Sequence, residues 1–344
     1  MSLPAESLCA KAGAPVYEIG SRCLPWAHQA ALVLEFARSR DVDVSALLTG
    51  CDLQPGGMIS PQQLLGLLAS LQRELPSPDT PFVLGQLSLP GPTGLASQAL
   101  TEAASLRDAL ETLVSYSARL TPLLTPRLLQ HGDELIVLWT SACGVGAAQR
   151  SFVVDMQMSA LTSVCNWLGA ERLPWRYSFN RTQPRDTSQH AVFLGHHLQF
   201  DCHVDAMRLP TTFLHRPWRQ GSSAQPNCFA AQALAQGADA GARGRGLLAA
   251  LYDYLLPRYR EPPGLDQAAA AFGMSSATLK RRLALHGTHY QAELDQVRTH
   301  VALYLLLLQG RSNDAVAAEL GFHDRNNFRR SFKRWTGLTP SLVG

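Results

Sequence analysis

Twice near its C-terminal end the chain sets a glycine between a short run of helically spaced apolar residues and a capping residue that opens a basic segment. In the first instance Leu265, Ala268, Ala269 and Phe272 form the apolar stripe and Gly273 follows. Ser275 then stands before a segment that turns Leu279 and Leu283 to one side and Ala277, Lys280 and Arg281 to the other. In the second, Val316, Ala317 and Leu320 precede Gly321, and Asp324 precedes Phe328 and Phe332. Arg325, Asn326, Arg329, Arg330, Lys333 and Arg334 are left mostly outside. Glycine permits the left-handed backbone of an abrupt turn, and the Ser or Asp side chain accepts from an amide that the new helix leaves free. A short helix, a tight turn and a basic second helix match the major groove, which admits one helix and presents donors and acceptors to its side chains. Residues 290–308 between the two instances read as one helix of 19 residues. At 1.5 Å per residue it would be about 28 Å long, comparable with a DNA turn of roughly 34 Å.

A basic helix face alone is equally well explained as solvated surface; its recurrence in tandem is what favours DNA. The charge balance agrees. The whole chain carries +3, but from residue 258 onward 12 Lys and Arg stand against 7 Asp and Glu, whereas the remainder carries 18 against 20. Such an asymmetry is expected where one domain faces phosphate and its neighbour does not.

With 344 residues the chain is long enough for two domains. Residues 26–38 and 44–48 read as helices, and Ser60-Pro61 announces another with Leu64, Leu65, Leu67, Leu68 and Leu71. Pro76, Pro78, Pro81, Pro90 and Pro92 predict an irregular stretch before a helix over 105–120. His131-Gly132-Asp133 predicts a hairpin between strands at 127–130 and 134–140. A long apolar helix over 152–168 and a strand over 175–179 follow, and segments 195–201 and 206–209 read as a second hairpin. The expected fold is therefore α+β over residues 1–220, a domain that reads as a sensor rather than a doubly wound enzyme. A Gly- and Ala-rich linker over 221–246 and an all-α domain over 247–344 with two tandem helix-turn-helix units complete it.

Other functions lack their chemistry. There is no G-x-S-x-G elbow, H-E-x-x-H helix or paired Cys motif, so no enzymatic activity and no cofactor is expected. His190, His196, His197, Cys202, His203 and His215 invite a metal-site reading, but strand alternation sends His196 and His197, and likewise Cys202 and His203, to opposite faces, so no metal is expected. Seven scattered cysteines and the absence of a signal-peptide core or an 18-residue apolar span fit a cytoplasmic protein without a membrane partner.

Residues 247–340 resemble the DNA-binding domain of the AraC/XylS family. The carrying segments are Phe272-Gly273-Met274-Ser275 through Arg281-Arg282-Leu283, Gly287-Thr288 with Val297-Arg298, and Leu320-Gly321-Phe322 with Phe328-Arg329-Arg330-Ser331-Phe332-Lys333-Arg334-Trp335-Thr336-Gly337-Leu338-Thr339-Pro340. Two departures stand out: Ala277 occupies a position where family members often carry arginine, and Ser341-Leu342-Val343-Gly344 replaces the usual aromatic-Arg continuation. The order Phe193-Leu194-Gly195, Leu198-Gln199-Phe200, Leu209-Pro210 is similar to the N-terminal effector domain of the family's arabinose-binding branch. An α+β pattern is unlike the founding member's sugar-binding barrel, so arabinose is not inherited with the label.

The resemblance implies a sequence-specific, ligand-modulated transcription regulator, with a DNA-binding architectural or partner-docking protein as the alternative. Double-stranded DNA, a small-molecule effector, RNA polymerase and a second copy of the chain are its expected partners. Ala277, Lys280, Arg281, Arg325, Asn326, Arg329 and Arg330 are the candidate DNA contacts, and Met156, Met158, Leu161, Trp167 and Trp175 the candidate ligand contacts. The apolar helix over 152–168 is offered as a self-association face, with burial inside one protomer as its stronger reading.

Overall fold

The computed structural model describes residues 15–49, 51, 53, 55–218 and 229–340. They fall into two compact units, Met1–Leu247 and Leu248–Gly344. The first unit begins with β1 (Val16–Tyr17) and β2 (Leu24–Pro25), followed by α1 (Gln29–Ser39), α2 (Val44–Thr49), β3 (Met58–Ile59) and α3 (Pro61–Glu74). α3 starts as its sequence dictates: Ser60 Oγ accepts from the Gln63 amide, the Gln63 side chain accepts from the Ser60 amide, and Pro61 occupies the first turn. The proline-rich stretch, expected to be irregular, instead forms α4 (Thr80–Ser88) and α5 (Leu95–Thr101). Pro81 sits in the first turn of α4, where a missing N–H leaves no helical bond unmade. The helix expected over 105–120 is divided into α6 (Leu106–Ser115) and α7 (Ser117–Leu120).

The sheet strands come next: β4 (Leu124–His131), β5 (Glu134–Ser141), then α8 (Ala147–Gly169), β6 (Arg176–Ser178), α9 (Ser188–Leu194), β7 (Leu198–Gln199) and β8 (Asp205–Pro210). Their spatial order is β4-β5-β8-β6-β7. β4 and β5 make the expected hairpin, with Gly132 at φ +54° in the turn. β7 and β8 do not. β8 pairs antiparallel with β5 and β6, and β7 lies beyond β6, parallel to it. Alternation tells which face a residue takes, not which strand becomes its neighbour, and the earlier strand β6 fills the place between them.

α8 runs through the core and buries residues on nearly every side, among them Phe152, Val153, Met158, Leu161, Val164 and Leu168. Gly85 brings α4 against it, since a Cβ there would stand 2.2 Å from the Met156 carbonyl oxygen. Tyr177 Oη, 2.7 Å from Thr162 Oγ1, ties β6 to the same helix. The face offered for self-association is thus spent on packing within the protomer.

Residues 229–246, read from composition as linker, are built into the first unit, the rest of that stretch lying outside the described residues. They form α10 (Phe229–Ala235) and β9 (Arg245–Gly246), and β9 pairs parallel with β1. Buried Arg119 donates to both carboxylate oxygens of Asp239 at 2.7 Å and to the Cys23 carbonyl at 2.8 Å. A Cβ at Gly241 would meet that guanidinium at 2.2 Å, and one at Gly246 would lie 2.0 Å from the Ala142 carbonyl oxygen. Close approach, rather than chain flexibility, accounts for those two glycines.

The second unit comprises α11 (Leu247–Leu255), which begins at its boundary, a 3-10 turn (Leu256–Arg258), α12 (Leu265–Ala271), α13 (Ser276–Leu285), α14 (Tyr290–Leu303), α15 (Asn313–Glu319) and α16 (Arg325–Thr336). The helix expected over 290–308 keeps α geometry only through α14 and widens into a π-helical turn at Tyr304–Leu308, where Leu303, Tyr304, Leu305 and Leu306 are buried in succession. Among the described residues no helix is long and apolar enough to cross a membrane.

Candidate nucleic-acid interface and effector cavity

α12 and α13 meet at Gly273, whose φ of +66° is the left-handed conformation that the sequence required of it. Ser275 caps α13 by accepting from the Thr278 amide at 3.2 Å, and Leu279 and Leu283 are wholly buried. The second unit of the pair repeats this plan. Ser312 caps α15, Gly321 turns at φ +73°, and Asp324 caps α16 by accepting from the Asn327 amide at 2.8 Å. Phe328 and Phe332 are wholly buried, so the helix is fixed in rotation and its remaining faces point to solvent.

All seven proposed DNA contacts are exposed: Ala277, Lys280 and Arg281 on α13, and Arg325, Asn326, Arg329 and Arg330 on α16. Arg325 Nη1 lies 3.7 Å from Asp314 Oδ2, an exposed pair that DNA phosphate or a base edge can displace at little cost. Trp335 is half-buried with its ring centroid 6.0 Å from that of Phe322, a packing position rather than a stacking platform.

Two framework residues hold the turns in place through partners on other elements, and Arg298 is one that the family resemblance already marks. Glu319, at the end of α15, accepts from Tyr259 Oη at 2.6 Å, Arg260 Nη2 at 2.7 Å and Arg311 Nη1 at 3.2 Å. The Arg260 and Tyr259 bonds hold its carboxyl down at about 2. Arg298, half-buried on α14, donates to the Leu320 carbonyl at 3.0 Å and lies over the Phe322 ring, 5.2 Å from its centroid, fixing the backbone beside the Gly321 turn. Tyr259 and Arg260 lie about 60 residues before Glu319, and Leu320 lies 22 after Arg298, so spacing along one helix does not reveal these bonds.

The candidate ligand contacts in the first unit do not converge. Met158, Leu161 and Trp175 are core residues, Trp167 is 49% exposed, and Met156 lines a small cavity that none of the other four lines. Positions 156 and 158 are separated by about 200° around a helix, so they cannot face one ligand. The cavity lies among α1, α3, α4, α8 and the 120–123 turn, and leaves only about 20 Å³ of free room, enough for about one water. Leucines, Val33 and Met156 dominate its lining, with Gln29, Ser88 and Gln157 as its polar side chains. Gln157 was not anticipated: within an apolar helix its spacing looks like core. His190, one of the histidines weighed for metal, instead sits 3.4 Å from Asp155 and 2.7 Å from Arg181, in a ring of Phe82, Phe179 and Phe200.

Residues 42–218 match the family model described as the arabinose-binding domain of AraC transcription regulators, and residues 268–343 match a helix-turn-helix domain model. The ornithine utilization regulator of Pseudomonas aeruginosa is 29% identical over 325 residues, covering 92% of this chain and 95% of that one. The HTH-type transcriptional regulator VqsM of the same species is 36% identical over 79 residues, 23% of this chain and 24% of its own. A crystal structure of the transcriptional regulator CdpR from Pseudomonas aeruginosa superposes with a TM-score of 0.47 at 22% identity, over 91% of this chain and 96% of that one. The two capped, glycine-turned units and the α+β domain before them are therefore the parts of a DNA-binding transcription regulator, not an enzyme, and the chain belongs to the AraC family.

Proposed function

We propose that the chain recognises its operator by placing α13 and α16 in successive major-groove segments, and that a small molecule held in the first unit sets how well it does so. The observation that carries the DNA reading is the repeated arrangement itself. Each basic helix is capped, preceded by a left-handed glycine and fixed in rotation by two wholly buried side chains, which leaves Lys280 and Arg281, and Arg325, Asn326, Arg329 and Arg330, on solvent. Arginine can donate two bonds to guanine and asparagine can pair with adenine, whereas Ala277 offers at most an apolar contact to a thymine methyl. Selection of full-length protein on random duplexes tests this: enrichment of a two-part site spaced by about one helical turn is expected, and recovery of unenriched sequence would overturn it.

In this reading the protein works in the cytoplasm, with RNA polymerase and a second copy of itself as further partners; the face on α8 offered for pairing is taken up by its own core, so pairing must use other surface. The relative named for ornithine utilization directs attention to a compound with two ammonium groups and a carboxylate. The pockets of the first unit differ in charge: one among α1, α3, α4 and α8 is lined without charged side chains, one is lined by Arg107 and Glu111, and one by Arg176 and Arg208, so the relative's name does not carry over to a ligand here.

A further inference from the structure

Arg176 and Arg208 stand directly opposite each other where β6 pairs with β8, so two guanidinium groups share one face of the sheet. Like charges set across from one another weaken a strand pair. Only one of the two is balanced within the chain: Arg176 is bridged to Glu134 of β5, whereas among the described residues no carboxylate pairs with Arg208. Arg208 is half-buried, and its Nε is shut off from solvent without a hydrogen-bond partner. Burial, and after it the neighbouring Arg176, push its pKa down from the ordinary arginine value, yet an arginine keeps its charge at neutral pH. A water can bond Nε, but it neither neutralises the guanidinium nor relieves the repulsion from Arg176. The space beside the pair is far larger than a water. It is an open cleft with about 300 Å³ of free room, the size at which small-molecule sites begin. Arg176, Ser178 and Arg208 line it together with His196, His197 and Gln199, and no acidic side chain does. In the cleft lined by Arg107 and Glu111, by contrast, the two charges pair with each other at 2.8 Å.

From this arrangement we propose that the cleft binds a small molecule through a carboxylate or phosphate group, held by the fork of Arg208 with Arg176 beside it. The inference rests on the ligand-modulated reading above and names its ligand class. A planar guanidinium presents paired donors that match two oxygens of either group, and an oxyanion set against both arginines replaces their repulsion with attraction to a shared partner. His197 and Gln199, exposed at the mouth, offer polar contacts to the rest of the molecule. An uncharged amide would leave Arg208 unbalanced, and an ammonium would meet two cations and no carboxylate in the lining.

Succinate and inorganic phosphate are the probes, titrated calorimetrically into the full-length chain at an ionic strength held constant with sodium chloride, with succinamide as the uncharged control. At least one anion should bind with a Kd of about 1 mM or lower, and succinamide at least about tenfold more weakly. Arg208→Met keeps the apolar stem and removes the charge, and should weaken the anion about tenfold or more, the loss of a charge-assisted pair. The melting temperature of the free variant should be unchanged or higher, because a repulsion has gone. Anion held by the basic helices of the second unit would be insensitive to that substitution, so unchanged binding in Arg208→Met would overturn the proposal. Absence of binding by both anions, or equal binding by succinamide, would do so too. Sedimentation of wild type against the variant then tells whether the arginine pair serves contact between copies of the chain instead. Operator affinity with and without the bound anion, compared between wild type and Arg208→Met, reports on modulation alone: no difference would remove the ligand-modulated reading at this cleft while the binding site stands.

Discussion

The charged groups that matter most to each unit differ in placement. In the second, Lys280, Arg281, Arg329 and Arg330 stand in water on helices whose inner sides are Leu or Phe. In the first, Arg119, Asp155 and Asp205 are buried and paired: Arg119 with Asp239, Asp155 with Arg181 at 2.6 Å, and Asp205 with Arg150 at 2.7 Å. A surface meant to meet a polyanion gains from unsatisfied cations, because each phosphate contact also releases a counterion. Buried charge gains only when its partner is in place, and so it fixes how distant segments are joined. Removing one of these buried charges should therefore destabilise the first unit, whereas removing one of these exposed cations should only loosen the grip of the second.

Arg119→Ala should give the largest effect. It strands Asp239 and the Cys23 carbonyl, and breaking a buried pair in this way costs about 3 kcal/mol or more. In a urea titration that resolves the two units, the first-unit transition should move while the other stays. Acid attacks the same pair from its other side. Hydrogen bonds from Arg119 hold the Asp239 carboxyl below its ordinary value of 3.8, so its contribution is present at neutral pH and lost as pH falls through that value toward the folded one. Arg119→Ala should erase that part of the acid sensitivity. A shift of under about 1 kcal/mol, the size of an exposed pair, would mean that the clamp does not hold residues 239–246.

Next in size is a contrast between the two turns. Alanine at Gly273 or Gly321 must adopt a left-handed backbone at a cost of about 1 to 2 kcal/mol. At Gly273 the new Cβ meets nothing within 4 Å, whereas at Gly321 it would stand 2.7 Å from the Arg260 carbonyl oxygen. Gly321→Ala should therefore destabilise the second unit more than Gly273→Ala in thermal unfolding. Equal losses would show that residues 260 and 321 separate easily and that the Glu319 and Arg298 bonds do not fix that approach.

Legibility in the sequence divides along the same line. Gly273, Ser275, Gly321 and Asp324 act within one or two turns of chain, so their spacing announced both helix pairs and put every candidate DNA contact on solvent. The α+β character and the 132–133 hairpin were legible for the same reason. Asp239 was hidden because its partner Arg119 lies 120 residues earlier, and glycines chosen for close approach have the composition of a linker. Likewise β6 joins β8 across a helix and an edge strand, a pairing that alternation does not encode. Met158 and Trp175 could be offered for a pocket while reading more readily as core, because an apolar side chain reads alike in a core and in a cavity.

Within the exposed set, base reading and phosphate binding should separate. Arg325 begins α16 and is tethered only by its exposed pair with Asp314. Arg325→Ala should cost about 1 to 3 kcal/mol on the selected operator and flatten preference at one or two base pairs. Equal losses on operator and scrambled duplex would make it a phosphate contact.

Lys333→Ala should have the smallest effect, and it tests whether the far end of α16 reads sequence at all. Lys333 lies eight residues beyond Arg325, about 12 Å along the helix axis, where a helix entering the groove by its N-terminal end has moved toward the backbone. Its neighbour Arg334 is already engaged with Asp295 at 3.4 Å, which leaves the exposed Lys333 ammonium as the better phosphate partner in that turn. An ammonium at a phosphate carries no sequence information, so operator and scrambled duplex should lose affinity alike. Losing one phosphate contact should also reduce the slope of log affinity against log salt by about 0.9. Salt titrations of wild type and variant on both duplexes, with helicity checked by circular dichroism, measure both quantities. A loss confined to the operator with an unchanged slope would place Lys333 at a base edge, and the basic face of α16 would then read sequence along its whole length.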